Sequence, residues 1–148
     1  MFVRGIPFLV TFSRKIKMIT AKYVPSRTAQ QLAHSLTKIV NTYARGGFVI
    51  DLALVDMEFE KVREKFEIIE VNTTAAREHV TEIERHIRLI KGRVRCTTSD
   101  FTFDTIPTLV LIQVVYKCVM WINAIPRKGR RSPRDIPSRA RHKKDSKL

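Results

Sequence analysis

The chain has 148 residues, enough for one domain with a hydrophobic core, and its 44% hydrophobic content is ordinary for a globular protein. Its charge is unusual, because 28 Lys and Arg residues against 14 Asp and Glu residues give a formal net charge of +14. This balance favours a nucleic acid as partner, with an acidic membrane surface second. Cys96 and Cys118 are isolated and the four histidines are scattered, which excludes a readable zinc motif or disulfide framework.

The first third of the chain predicts a β-hairpin followed by a helix. Residues 2–12 are rich in Val, Ile and Phe, and residues 16–24 alternate apolar with polar side chains, as in two antiparallel strands. Thr28 and Gln31 form a capping-box pattern that opens a helix. The Gly46-Gly47 pair then closes the helix at its C-terminal end.

The middle of the chain predicts two strands separated by a short helix. Residues 48–55 form an almost unbroken apolar run, which suits a strand buried on both faces and therefore a central or parallel strand. The run ends at Asp56. A short amphipathic helix over residues 59–66 and a strand over residues 67–71 follow. The order of elements predicts an α/β fold with helices packed on a mixed sheet.

The last third of the chain predicts two long helices and a tail. Apolar residues recur at helical spacing from Val80 to Val94, and residues 106–125 form a second, nearly continuous apolar helix. A membrane span in this second helix would place Lys117 near the bilayer centre, at a cost of roughly 2.5–3.5 kcal/mol, so we expect a buried helix instead. Residues 127–148 hold ten of the 28 basic residues, and we expect this tail to be disordered.

Two carboxylates are candidate Mg²⁺ ligands. Asp56 follows the apolar strand, at the end where open α/β sheets bind ligands, and Glu84 lies on the long helix beside its apolar stripe. Mg²⁺ is typically held by one or two carboxylates together with phosphate oxygens of the substrate. The neighbouring basic side chains that could hold phosphates are Arg85, Arg88, Lys91 and Arg95.

Ordinary structural roles compete with this interpretation. Asp56 could be the N-cap of the helix that follows it. Glu84 could close a capping box that starts at Thr81, or form a surface ion pair with Arg88. Glu78 and Glu82 are also close enough in sequence to replace Glu84 as a ligand, so the spacing alone leaves the metal site open.

Two motifs give this chain a resemblance to a known family. Asp56-Met57-Glu58-Phe59 resembles the D-x-E-F pattern of copia-type retrotransposon integrase cores. Ile83-Glu84-Arg85-His86-Ile87-Arg88 resembles the A-E-R-x-x-R pattern of the same cores. These cores belong to the RNase H-like group of two-metal DDE strand transferases. The resemblance extends over residues 1–126 and includes the Trp121-Ile122-Asn123 ending of the last helix.

The resemblance implies an RNase H-like three-layer α/β fold with a mixed sheet in residues 1–126, followed by a basic tail in residues 127–148. It also implies Mg²⁺ or Mn²⁺ at Asp56 and Glu84, and DNA strand transfer as the ancestral activity. The family's first acidic ligand lies on a strand before the hairpin, whereas residues 1–50 contain no acidic residue. We therefore expect an N-terminally truncated core that lacks the first strand, with impaired catalysis.

A non-catalytic basic nucleic-acid-binding protein is the alternative, with most of its affinity in the tail. The expected partner is DNA under both interpretations. A homo-oligomer is an open option, and we expect neither a small-molecule substrate nor a membrane partner. We expect a nuclear or cytoplasmic location. A mitochondrial transit segment is the competing interpretation of the acid-free first 50 residues.

Overall fold

The structure is a computed structural model that describes residues 1–55, 59–63, 70–72, 76–102, 105–126 and 131–135. Its elements follow one another along the chain as strands β1 (Phe2–Val3), β2 (Ile6–Phe12) and β3 (Ile19–Tyr23), helix α1 (Ala29–Arg45), strand β4 (Leu52–Leu54), helix α2 (Glu60–Arg63), strand β5 (Glu70–Asn72), and helices α3 (Ala76–Ser99) and α4 (Thr108–Ala124).

The predicted hairpin is confirmed and carries an additional turn. β2 pairs antiparallel with β3, and the facing hydroxyls of Thr11 and Thr20 are 2.6 Å apart. The run predicted as one strand over residues 2–12 is divided by a two-residue turn at Arg4 and Gly5, which have φ of 46° and 81°. β1 therefore folds back on β2 as a very short third strand.

Helix α1 begins and ends where its sequence predicts. The Thr28 hydroxyl accepts a hydrogen bond from the Gln31 N–H at 3.3 Å, and Gly46 caps the C-terminal end. Gly47 has φ of 79°, a left-handed conformation that suits glycine at a helix end. The apolar stripe of α1 buries Ile39 and Tyr43 against Leu9 of β2.

The three antiparallel strands lie between two helical layers. Neighbouring side chains of a strand point to opposite faces, so Leu9 packs on the α1 side while Phe8 packs with α3 and α4. Ile90 of α3 and Val115 of α4 are fully buried in the larger of these two clusters. The predicted helical layers are therefore present on both faces of the sheet.

β4 and β5 form a separate parallel pair, with Leu52 opposite Glu70. A parallel strand following α1 was predicted, but as part of one mixed sheet. In the described ranges, the antiparallel and parallel strands are instead two sheets that share no hydrogen-bonded neighbour. β1 is only two residues long, so no strand within the described ranges pairs with most of the outer edge of β2.

Helix α4 closes the opposite edge of the antiparallel sheet. The Asn123 side chain is buried, accepts a hydrogen bond from the Ile19 N–H at 2.9 Å and donates one to the Ile19 carbonyl at 2.7 Å. The Tyr116 hydroxyl accepts a further hydrogen bond from the Tyr23 N–H at 3.1 Å. These helix side chains occupy backbone groups of β3 that would otherwise form an open edge.

The described part of the tail contacts this same helix. Ser132 is buried, and the Arg134 N–H donates a hydrogen bond to the Asn123 carbonyl at 3.0 Å. The disorder expected after residue 126 therefore does not include residues 131–135. Over the residues with described positions, no helix has both the length and the hydropathy needed to cross a bilayer.

Candidate metal and nucleic-acid site

Helix α3 brings most of the candidate site residues onto one exposed face. Successive residues of an α-helix are rotated by about 100°, so positions spaced by four, three and four residues lie along one side. That spacing connects Glu84, Arg88, Lys91 and Arg95, and all four are exposed. We call this set the basic face of α3. It places one carboxylate at the N-terminal end of a row of three cations.

Arg85 does not share the basic face. It is exposed, but it follows Glu84 directly and is therefore turned by about 100° away from it. Of the four cations predicted to hold phosphates, Arg88, Lys91 and Arg95 share the face of Glu84. Arg85 precedes Arg88 by three residues, about 60° around the helix, so it lies at the border of the basic face.

The alternatives for Glu84 can be compared with its surroundings. α3 begins at Ala76, five residues before Thr81, so a capping box that starts at Thr81 is wrong. The Glu84 carboxylate forms no ion pair within 4.0 Å in the described part of the chain, and neither does Arg88. Glu84 is therefore an exposed carboxylate without a structural partner among these residues.

Glu82 lies on the other side of the same helix and has a structural role. Its carboxylate oxygens lie 3.3 Å from Arg14 Nε and 3.8 Å from Lys17 Nζ, in the loop between β2 and β3. One turn further, the His86 ring stacks on Phe12 with ring centroids 4.2 Å apart. This flank of α3 contacts the end of β2 and the loop between β2 and β3. The basic face lies on the other side of the helix from that loop.

Asp56, the other candidate ligand, lies outside the described residues. The chain is described up to Val55, which follows β4 and packs on the cluster around Val62 of α2. In the described ranges, no group of three or more His, Cys, Asp or Glu residues is close enough to hold a metal ion together.

The C-terminal half of the basic face opens into a groove that was not predicted from the sequence. The groove has a volume of about 250 Å³ and lies between α3 and the turn that joins β1 to β2. Lys91 and Arg95 line it from the helix and Arg4 from the turn. Its buried floor includes Val94 and Thr98. The residues that line the groove are Phe2, Val3, Arg4, Lys91, Val94, Arg95 and Thr98.

The electrostatics of this groove follow from its lining. Of the described residues that line it, three carry cationic side chains and none carries a carboxylate. Glu84 lies about 10.5 Å from Lys91 along the helix axis. Cations that share a concave surface raise the local concentration of anions. Arg4 could not be recognised as part of this site, because it lies 87 positions before Lys91 in the sequence.

Comparison with known proteins supports the fold. No protein-family model and no curated protein sequence matches the chain. Its structure is similar to the crystal structure of the catalytic core domain of BIV integrase, with a TM-score of 0.62 and 15% sequence identity. The match covers 95% of this chain and 91% of that chain. The protein is therefore a small mixed α/β domain that resembles an integrase catalytic core.

Proposed function

We propose that this protein is a DNA-binding, integrase-type core of the RNase H-like group, related to copia-type retrotransposon integrases. The fold likeness to an integrase catalytic core over nearly the whole chain supports this proposal. The two sequence motifs around Asp56 and Glu84 support the finer assignment to the copia type. Residues 1–126 constitute the core, and the basic tail of residues 127–148 adds affinity for DNA.

One observation carries the proposal: an exposed carboxylate, with no ion pair to any described residue, shares one face of one helix with three exposed cations. Arg88, Lys91 and Arg95 can form charge-assisted hydrogen bonds with DNA phosphates. A phosphate held by them near Glu84 would bring its own oxygens to any cation bound by that carboxylate. Glu82 is engaged by Arg14 and Lys17 on the opposite side, which favours Glu84 as the ligand.

The described residues fit a divalent cation only in part. Glu84 offers one exposed carboxylate on the basic face, so a bound Mg²⁺ or Mn²⁺ would depend on Asp56 and on phosphate oxygens for its other ligands. When bound, the ion would supply Lewis-acid polarisation of a phosphodiester. Strands β1 to β3 bring no acidic residue to the site, because residues 1–50 contain none. We therefore propose that strand transfer by this chain alone is weak or absent.

The proposed partner is DNA, held through the basic face and the tail. A homo-oligomer is a further proposal, and no small-molecule substrate or membrane partner is proposed. A nuclear or cytoplasmic location fits a DNA partner. These assignments do not affect the test of the metal site, which depends on Glu84 and on the cations beside it.

The experiment that tests the metal role measures binding of duplex DNA with Mg²⁺ and with EDTA at equal ionic strength. Glu84→Gln removes a negative charge beside the phosphates, so we expect tighter binding than wild type in EDTA and no gain from Mg²⁺. The wild-type protein should bind duplex DNA more tightly with Mg²⁺ than with EDTA. Glu82→Gln is the matched control, because it makes the same substitution on the same helix. This variant should still bind DNA more tightly in Mg²⁺ than in EDTA. Nicking of plasmid DNA by wild type, Asp56→Asn and Glu84→Gln measures the residual chemistry.

The outcomes separate the two candidate functions. A Mg²⁺ gain that survives in Glu84→Gln, or that disappears equally in Glu82→Gln, would contradict a metal site at Glu84. The second candidate is a non-catalytic nucleic-acid-binding protein, which the groove favours because its described lining has Arg4, Lys91 and Arg95 but no carboxylate. It predicts salt-sensitive DNA binding that is indifferent to Mg²⁺ and the absence of nicking in every variant.

A further inference from the structure

The turn that joins β1 to β2 holds an arginine in an unfavourable backbone conformation beside the groove. Val3 pairs with Ile6 across the turn, and Arg4 and Gly5 both have positive φ, as in a type I′ hairpin turn. Asn and Gly are the residues that such turns favour at the first position, because other side chains are crowded there. An arginine at this position is costly for the fold, and its side chain lines a groove that already holds two cations.

An exposed aromatic ring forms the side of the same groove. Phe2 is 47% exposed and lines the groove together with Arg4. The Arg27 guanidinium lies 5.5 Å from the centroid of the Phe2 ring, which places a further positive charge beside the ring. The groove therefore combines an accessible aromatic surface with several cations within the length of a few side chains.

This combination distinguishes an unpaired nucleotide from a duplex. A duplex presents phosphates but keeps the faces of its bases stacked inside, so an exposed ring at a binding site gains nothing from it. An unpaired base can stack on an aromatic side chain while its phosphate lies on nearby cations, and this is the usual arrangement for single-stranded nucleic acid.

We propose that the groove between the β1–β2 turn and α3 binds a single-stranded nucleic-acid segment, with phosphate on Arg4, Lys91 and Arg95 and a base stacked on Phe2. The inference rests on the nucleic-acid binding in the proposed function but not on its metal chemistry. It adds Arg4 and Phe2 to the binding residues and identifies unpaired strand as the preferred ligand.

The test uses the full chain, with EDTA present so that metal binding does not contribute. Fluorescence anisotropy measures the affinity for a labelled single-stranded oligothymidylate and for a labelled hairpin duplex of equal phosphate number. The variants are Arg4→Asn, Lys91→Gln and Phe2→Leu. Arg93→Gln is the matched control, because Arg93 is an exposed cation of the same helix that does not line the groove.

Arg4→Asn and Lys91→Gln should each weaken single-strand binding by about fivefold at 0.1 M salt and reduce the salt slope by about 0.7. Phe2→Leu should weaken single-strand binding by about tenfold and leave duplex binding unchanged, because only the stacked base is lost. Arg93→Gln should bind both ligands like wild type. Arg4→Asn places a favoured residue in the turn, so circular dichroism should show an intact fold.

Two results would overturn the inference. Equal effects of Arg93→Gln and Lys91→Gln would mean that charge anywhere on the chain is sufficient, as expected if the basic tail dominates. An unchanged ratio of single-strand to duplex affinity in Phe2→Leu would exclude base stacking. The proposed metal role fails separately, since it is read from the Mg²⁺ response of Glu84→Gln and not from these measurements in EDTA.

Discussion

Replacing Asn123 by Ala should remove two of the hydrogen bonds that connect the last helix to the edge of the sheet. The Asn123 amide accepts a hydrogen bond from the Ile19 N–H at 2.9 Å and donates one to the Ile19 carbonyl at 2.7 Å. Both residues are almost inaccessible, with 6% of Asn123 and 1% of Ile19 exposed. Solvent therefore cannot take over these bonds without a rearrangement of the fold.

The expected loss can be estimated from these contacts. A buried backbone group that loses its partner costs about 1–3 kcal/mol, and Asn123→Ala leaves two such groups at Ile19. Removal of the amide also leaves a small void. We expect the free energy of unfolding to fall by about 3–5 kcal/mol, which corresponds to a decrease in Tm on the order of 10 °C for a chain of this size.

Urea unfolding followed by circular dichroism measures this change. Asn41→Ala is the matched control, because Asn41 is an exposed asparagine within α1, and it should change the free energy of unfolding by less than about 0.5 kcal/mol. A loss in Asn123→Ala no larger than that of Asn41→Ala would refute the argument. It would mean that the edge of β3 is satisfied without the amide.

Asn123→Asp tests the chemistry of the same contact. An ionised carboxylate can accept from the Ile19 N–H but cannot donate to the Ile19 carbonyl, whereas a protonated carboxyl can do both. Burial beside that carbonyl should raise the pKa of Asp in the folded state above its unfolded value. The stability of this variant should therefore be greatest at acidic pH and decrease as pH rises through the folded-state pKa. A stability that is independent of pH, measured against Asn123→Ala, would contradict this account.

Three further predictions concern other positions. Tyr116→Phe removes the acceptor of the Tyr23 N–H, so the free energy of unfolding should fall by about 1–2 kcal/mol; no loss in urea unfolding would mean that another group replaces it. Arg4→Asn should raise the free energy of unfolding by about 0.5–1 kcal/mol, because it relieves the φ of 46°, and a loss of stability would show that the Arg4 side chain supports the fold. Burial raises the pKa of Tyr43 to about 12 against a smaller opposing effect of the Thr11 hydroxyl, so stability should be intact below pH 10 and decrease between about pH 10 and 12. Tyr43→Phe should lack this alkaline decrease in the same urea measurement, and an unchanged decrease would assign it to other groups.

The helices and the hairpin could be predicted because their signals are local. The Thr28 cap, the Gly46-Gly47 ending and the alternation that pairs β2 with β3 all involve residues close together in sequence. The additional turn at Arg4 was missed because Gly5 and Pro7 were interpreted as the start of one strand. The positive φ of Arg4 and Gly5 shows that the chain reverses there. Local propensity thus predicted the elements better than their boundaries.

The candidate site could be predicted only in part, because contacts between distant residues decide which glutamate of α3 is available as a ligand. Spacing predicted Glu84 and its basic neighbours as candidates and left Glu78 and Glu82 as alternative ligands. Arg14 and Lys17 engage Glu82 from a loop more than 60 residues away, and no pattern within α3 contains that information. The roles of Glu84 and Asp56 as metal ligands stay predictions.

The hydrogen bonds between Asn123 and Ile19 also affect how the protein is made. They join residues that are 104 positions apart, so β3 emerges from the ribosome long before the helix that covers its edge has been synthesised. Until α4 arrives, the nascent hairpin presents unpaired backbone groups beside apolar side chains, which favours association with other chains. Slow elongation through the second half of the gene would lengthen this interval, and a chaperone that binds extended apolar segments would shorten the exposure.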